Sequence, residues 1–175
     1  DRNGVASRLS ALANTQFRLG KYDEVKIINE KAITLWKDLG NMSMVAWQTQ
    51  NLAQLYKVEG RYEEAEALFT EVEALHLKTD SSLSGVAWVR VAWARLKFLQ
   101  GDFESAEDLL NKAIITFEKN DHIWGRVAVD NLRAEIVCSR GNLEEARTLI
   151  NRAIADADAC QSIMFQTRNW VTLGR

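Results

Sequence analysis

Glycine stands at positions 20, 60, 101 and 141 of this 175-residue chain, at intervals of 40, 41 and 40 residues. No other feature constrains the fold as much. Self-similarity at a fixed period of this size marks a solenoid of stacked units, none of which can bury its apolar face alone. The rest of the sequence keeps the same beat. Two residues after each glycine stands Tyr22, Tyr62, Phe103 or Leu143; five after it Val25, Ala65, Ala106 or Ala146; twelve after it Ala32, Val72, Ala113 or Ala153. Seven residues before each glycine there is an alanine: Ala13, Ala53, Ala94 and Ala134. Between these points apolar residues recur at three and four, the helical period, and no alternating run is long enough for a strand. Each unit is therefore two helices.

The glycine closes the first helix of a unit, where the chain needs a left-handed residue. Asp102 and Asn142 can cap the second helix, and Asn142 with Glu145 forms a capping-box-like pair, whereas Lys21 and Arg61 cannot act in this way. The spacing predicts first helices near 4–19, 42–59, 83–100, 123–140 and 163–175, and second helices near 22–38, 62–78, 103–118 and 143–159. The alanines are sockets that let one helix backbone approach another while a larger residue fills the adjoining gap. The expected architecture is all-α, one repeat domain over 1–175, with repeats at about 4–41, 42–82, 83–122 and 123–162 and a partial fifth at 163–175.

Composition excludes several functions. Lys and Arg number 22 against 24 Asp and Glu, a net charge of -2, so no basic footprint for nucleic acid or an anionic membrane stands out. Cys138 and Cys160 have no other Cys or His at ligand spacing, which predicts neither a metal site nor a disulfide framework but two reduced, packed thiols in a cytoplasmic protein. No apolar run approaches the ~20 residues of a membrane span. A chain that starts at Asp1 rather than methionine is expected to be part of a larger protein. His76 and His122, the two histidines, fall near helix ends, where cap or surface roles are expected. The carboxylate pairs Glu63–Glu64 and Glu144–Glu145 sit in first turns and favour the helix dipole. No nucleophile–base set can be assembled, so no enzyme activity and no cofactor are expected.

The combined pattern, Gly-x-aromatic-x-x-Ala-x-x-x-large-x-x-Ala with a small residue seven positions earlier, resembles the tetratricopeptide repeat over nearly the whole chain. That resemblance implies a right-handed superhelical α-α solenoid of about four helix pairs plus one extra C-terminal helix. Two departures, a period near 40 against the common ~34 and the absence of proline, imply longer helices and a different superhelical pitch. The segments ITLWKDLGNMSMVAWQTQNLAQLYKVEGRYEEA and ITFEKNDHIWGRVAVDNLRAEIVCSRGNLEEA are similar to the long arrays that follow the nucleotide-binding domain of bacterial signal-transduction ATPases of the NB-ARC kind. Those proteins are often transcription regulators, and similar repeats occur in peptide-sensing bacterial regulators. The chain itself has no phosphate-binding glycine loop.

The resemblance further implies a concave groove, lined by the first helices, that holds an extended peptide or a partner helix. Positions thirteen, ten, six and three before each glycine should face it. The ligand-binding candidates are Asn14 and Phe17; Trp47, Gln50, Gln54 and Lys57; Trp88, Val91, Arg95 and Phe98; Asn131 and Glu135. Ser7, Ser10, Ala128 and Cys138 complete the stripe. Trp47 and Trp88, joined by Phe165, are either rings packed between units or groove anchors. Lys57 and Arg95 are either solvated charges or carboxylate readers, and with Ser10 and Val91 where chaperone-binding relatives carry lysines, a chaperone-tail clamp is disfavoured. The expected function is a binding module for a peptide or protein partner within a bacterial regulator. The alternatives are a sugar or metabolite sensor using Trp47, Trp88, Gln50, Gln54 and Arg95, and a structural spacer or oligomerisation array. The last helix should expose some of Ile163, Phe165, Trp170 and Leu173, with self-association as a symmetric dimer the expected remedy.

Overall fold

The structure is a computed structural model that describes residues 1–78 and 83–159. Every secondary-structure element among them is an α-helix: α1 (Arg2–Arg18), α2 (Tyr22–Asp38), α3 (Met42–Val58), α4 (Tyr62–Lys78), α5 (Leu83–Leu99), α6 (Phe103–Lys119), α7 (Ile123–Ser139) and α8 (Leu143–Ala159). Each is 17 residues long, which is about 25 Å at the helical rise. The helices lie within two residues of their expected bounds, and they form tandem pairs in the manner of an all-α solenoid. The extra residue of the 41-residue interval falls between Lys78 and Leu83. The expected helix at 163–175, with its apolar face, lies outside the described residues. Two compact units are present, Asp1–Val89 and Arg90–Arg175, and the division falls within α5.

The turns explain the glycine beat. Gly101 has φ +78°; its N–H donates to the Phe98 carbonyl at 3.0 Å, and the Asp102 N–H reaches back to the Lys97 carbonyl at 3.0 Å. These two bonds satisfy carbonyls that the end of α5 would otherwise leave orphaned. The same pair closes α1, α3 and α7. It also closes two second helices: α2 through Gly40 and α6 through Asp121, a non-glycine residue at φ +48°. At helix starts, Asp102 accepts from the Ser105 N–H at 3.1 Å, and Asn142 accepts from the Glu145 N–H at 3.3 Å while its Nδ2 donates to the Glu145 carboxylate at 2.6 Å. Lys21 makes no side-chain cap. Asn41 caps α3, and His122 caps α7 by accepting from the Gly125 N–H at Nδ1, 3.1 Å away.

The sockets are filled as the spacing requires. Ala13, Ala53, Ala94 and Ala134 are at most 2% exposed. In the first unit Ala6, Ala32, Trp36 and Val45 form one buried cluster, and Val25, Leu52 and Leu55 another. In the second, Ala134 packs with Val137, Ala146 and Ile150. A further socket joins α4 to α5 and α6 to α7. A Cβ on Gly85 would meet the His76 ring, and one on Gly125 would lie 2.3 Å from the Phe117 ring. The buried aromatic ring of Phe117 thus needs a residue without a side chain opposite it.

Two expectations are corrected. Cys138 is exposed rather than packed, and Cys160 lies outside the described residues. Leu143, at the aromatic position, is 66% exposed. Tyr22 and Phe103 rest on the rings of Phe17 and Phe98, three residues before the glycine, at centroid distances of 5.7 and 5.9 Å. The corresponding residue before Gly141 is Cys138, which offers no ring to lie on.

Candidate functional site

Helices α1, α2 and α3 enclose a partly open cleft of about 120 Å³ in the first unit. Its walls are Ala13, Asn14 and Phe17 from α1, Val25 and Asn29 from α2, and Asn51 and Gln54 from α3. Four carboxamides therefore meet one aromatic ring and two small aliphatic groups, and no lining residue carries a charge. The register explains the gathering: Asn14 and Gln54 both stand six residues before a closing glycine, so successive first helices bring them to one face. Lys57, one turn beyond Gln54, donates from Nζ to the Gln54 Oε1.

Beside the cleft runs a buried polar chain. Ser10 donates to the Ala6 carbonyl at 3.0 Å and accepts from Trp36 Nε1 at 3.1 Å and from Gln48 Nε2 at 2.6 Å. Gln48 Oε1 in turn accepts from Asn51 Nδ2 at 3.1 Å. Ser10, expected to face the groove, is 3% exposed; three interactions hold its hydroxyl inside, and through Gln48 they orient Asn51 at the cleft.

Asn29 departs from this satisfied pattern. It is 1% exposed, and neither its Oδ1 nor its Nδ2 hydrogen bonds within the described residues. A buried polar group left in that state costs about 1–3 kcal/mol, and native folds rarely tolerate one without a use for it. Asn29 stands nine residues after Gly20, where the later repeats carry Phe69, Leu110 and Ile150, each at most 3% exposed. One unit thus holds a carboxamide where its fellows hold core. The motif itself contained the signal: the position marked large in the repeat pattern is asparagine in KYDEVKIINEKAI.

In the second unit Arg95 and Glu135 form a bidentate ion pair, with Nη2 2.9 Å from Oε1. Arg95 is paired within the chain rather than solvated, and its guanidinium also lies 5.9 Å from the Phe98 ring centroid. Asn131 is 4% exposed, with its Oδ1 unpartnered among the described residues. Of the remaining candidates, Trp47 is 41% exposed, and Gln50, Trp88 and Val91 are half-buried. On α7 and α8, Arg152 reaches the buried Asp130 from Nε at 2.6 Å. His76 packs into the Gly85 socket, and burial holds its imidazole below the usual histidine range. Among the described residues no group of three His, Cys, Asp or Glu is placed to hold a metal ion, and no helix is long and apolar enough to cross a membrane.

Residues 43–119 match the family model for the tetratricopeptide repeat. The helix pairs on either side repeat the period, the closing turns and the sockets of that stretch. Solved structures share the fold, among them the following two. The aspartyl phosphate phosphatase F of Bacillus subtilis aligns with a TM-score of 0.86 at 13% identity, over 98% of this chain and 45% of its own. This chain thus spans less than half of that phosphatase. BtubC (BKLC) from P. vanneervenii aligns with a TM-score of 0.73 at 19% identity, over 99% of this chain and 74% of its own. No curated protein sequence matches the chain.

Proposed function

We propose that the chain is the non-catalytic binding module of a larger bacterial regulatory protein and holds a peptide or protein segment on the face that the first helices α1 and α3 form within its first unit. The observation that carries this reading is the uncharged cleft lined by Asn14, Asn29, Asn51 and Gln54. Carboxamides offer a donor and an acceptor side by side, the same pairing that a peptide main chain presents, so they bind extended peptide with little regard to its side chains. Trp47, exposed on the same helix as Gln54, adds an apolar contact. The tetratricopeptide-repeat match over residues 43–119 supports a protein-interaction role, and the similarity of the inter-repeat segments to bacterial regulators supports the sensor setting. A cleft of about 120 Å³ is small for a whole oligosaccharide, which favours peptide over sugar.

The test is isothermal titration of the chain with peptides selected from a random display library and, separately, with maltotriose as a sugar probe. Saturable binding of a selected peptide, weakened by Asn14→Ala and Gln54→Ala without loss of melting temperature, is the expected result. Binding of maltotriose alone would replace the reading with a sugar sensor. Binding of neither would leave a structural array.

A further inference from the structure

Asn29 is the one residue of the first unit's cleft that breaks the repeat rule. At its register the other pairs bury Phe69, Leu110 and Ile150, and an apolar residue would serve the core better than a carboxamide with two unmet hydrogen-bonding atoms. Sites where local sequence logic is overridden without internal compensation are where function is expected. We infer that the floor of this cleft is a carboxamide-recognition pocket, in which Asn29 pairs through Oδ1 and Nδ2 with the terminal amide of a glutamine or asparagine side chain on a bound peptide.

Three features select that chemistry. First, Asn29 offers one acceptor and one donor from a single planar group, and a primary carboxamide returns the complementary donor and acceptor. A carboxylate would leave the Oδ1 facing a second acceptor, and an ammonium would leave the Nδ2 facing a second donor. Second, the lining contains no charged side chain, and the Lys57 ammonium at its edge is engaged by Gln54 Oε1, so an ionised guest on the floor at Asn29 would be desolvated without a dedicated counter-charge. Third, the volume of about 120 Å³ fits a short side chain with its amide, walled by Ala13, Phe17 and Val25 along the methylenes. Asn51, held by the Gln48–Ser10 chain, is already oriented and pays no further ordering cost.

This inference rests on the peptide-binding reading of the same cleft, so its test separates the two. The probe is N-acetyl-glutamine methylamide, with the glutamate and norleucine analogues as controls, added at millimolar concentration while NMR follows the side-chain amide resonances of Asn29 and of Asn51, which lines the same cleft and remains as the reporter in Asn29→Leu. The expected result is a saturable shift with the glutamine compound and a response at least about tenfold weaker with each control. Asn29→Leu, which restores the residue type of the other repeats, is expected to fold, to melt higher than the parent and to lose the discrimination. Equal response to all three compounds, or discrimination retained in Asn29→Leu, would overturn the pocket. Should library-selected peptides bind parent and Asn29→Leu with equal affinity and no glutamine or asparagine preference, the peptide reading stands and the pocket falls. Should no peptide bind while the glutamine compound still shifts Asn29, the pocket stands and the peptide reading falls.

Discussion

Arg95 and Glu135 occupy the same register of successive helix pairs, six residues before Gly101 and Gly141, and grip each other through both guanidinium Nη atoms and both carboxylate oxygens. The side chains are 22% and 27% exposed, a setting in which an ion pair with two parallel bonds outperforms a surface contact. Either charge reversal alone, Arg95→Glu or Glu135→Arg, should destabilise by about 1 kcal/mol or more, and the double exchange should recover most of the loss. Chemical denaturation of the four proteins measures the coupling. Strict additivity would show that the pair contributes nothing. The pairing also bears on ligand preference, because an acidic guest at Arg95 must first displace Glu135.

The Gly125 socket predicts a clash. A Cβ there would stand 2.3 Å from the Phe117 ring, which is fully buried. Gly125→Ala should therefore cost about 1–3 kcal/mol by overpacking, and Phe117→Leu in the same protein should relieve part of it. Denaturation midpoints of the single and double variants test the contact. An unchanged midpoint for Gly125→Ala would show that the ring is not where the geometry puts it.

The closing turns predict a different kind of cost. No atom outside its immediate chain neighbours lies within 4 Å of a Cβ built on Gly101, so only its φ of +78° resists substitution. Gly101→Val should lose roughly 1 kcal/mol or more, and Gly101→Asn distinctly less, because asparagine tolerates the left-handed region and a β-branched residue does not. Equal melting temperatures for the two variants would contradict the backbone account.

His76 predicts an acid-sensitive contribution. Burial lowers its pKa in the folded state, so the unfolded chain, with histidine near ~6.5, takes up the proton first. Stability from this group is complete above that value and declines as pH falls from it towards the lowered folded pKa. Urea midpoints at pH 7.5 and 5.5 should differ less in His76→Gln than in the parent. An identical pH response would remove His76 from the account.

Much of the fold was legible because it is periodic. The four glycines placed every first-helix end, and the alanines at fixed offsets named the sockets without reference to tertiary structure. Leu143 and Cys138 escaped because the pattern does not register that Tyr22 and Phe103 rest on the rings of Phe17 and Phe98, a support that Cys138 cannot give Leu143. Gly40 and Asp121 escaped because the turn after a second helix has no fixed residue, being glycine after α2 and aspartate after α6. The candidate site was half visible. Asn14, Phe17 and Gln54 follow from which face a first helix presents, but Asn29 and Asn51 require knowing how three helices close on one another. Ser10 shows the limit of register arguments, since a hydroxyl placed on the groove stripe was drawn inward by Trp36 and Gln48.

The central claim is that the first helices carry the ligand. Hydrogen–deuterium exchange on the chain, with and without a library-selected peptide at saturation, tests it most directly. Added protection is predicted in α1 and α3 around Asn14, Asn51 and Gln54, with α4 and α8 unchanged. Protection confined to second helices, or none at all with bound peptide, would contradict it.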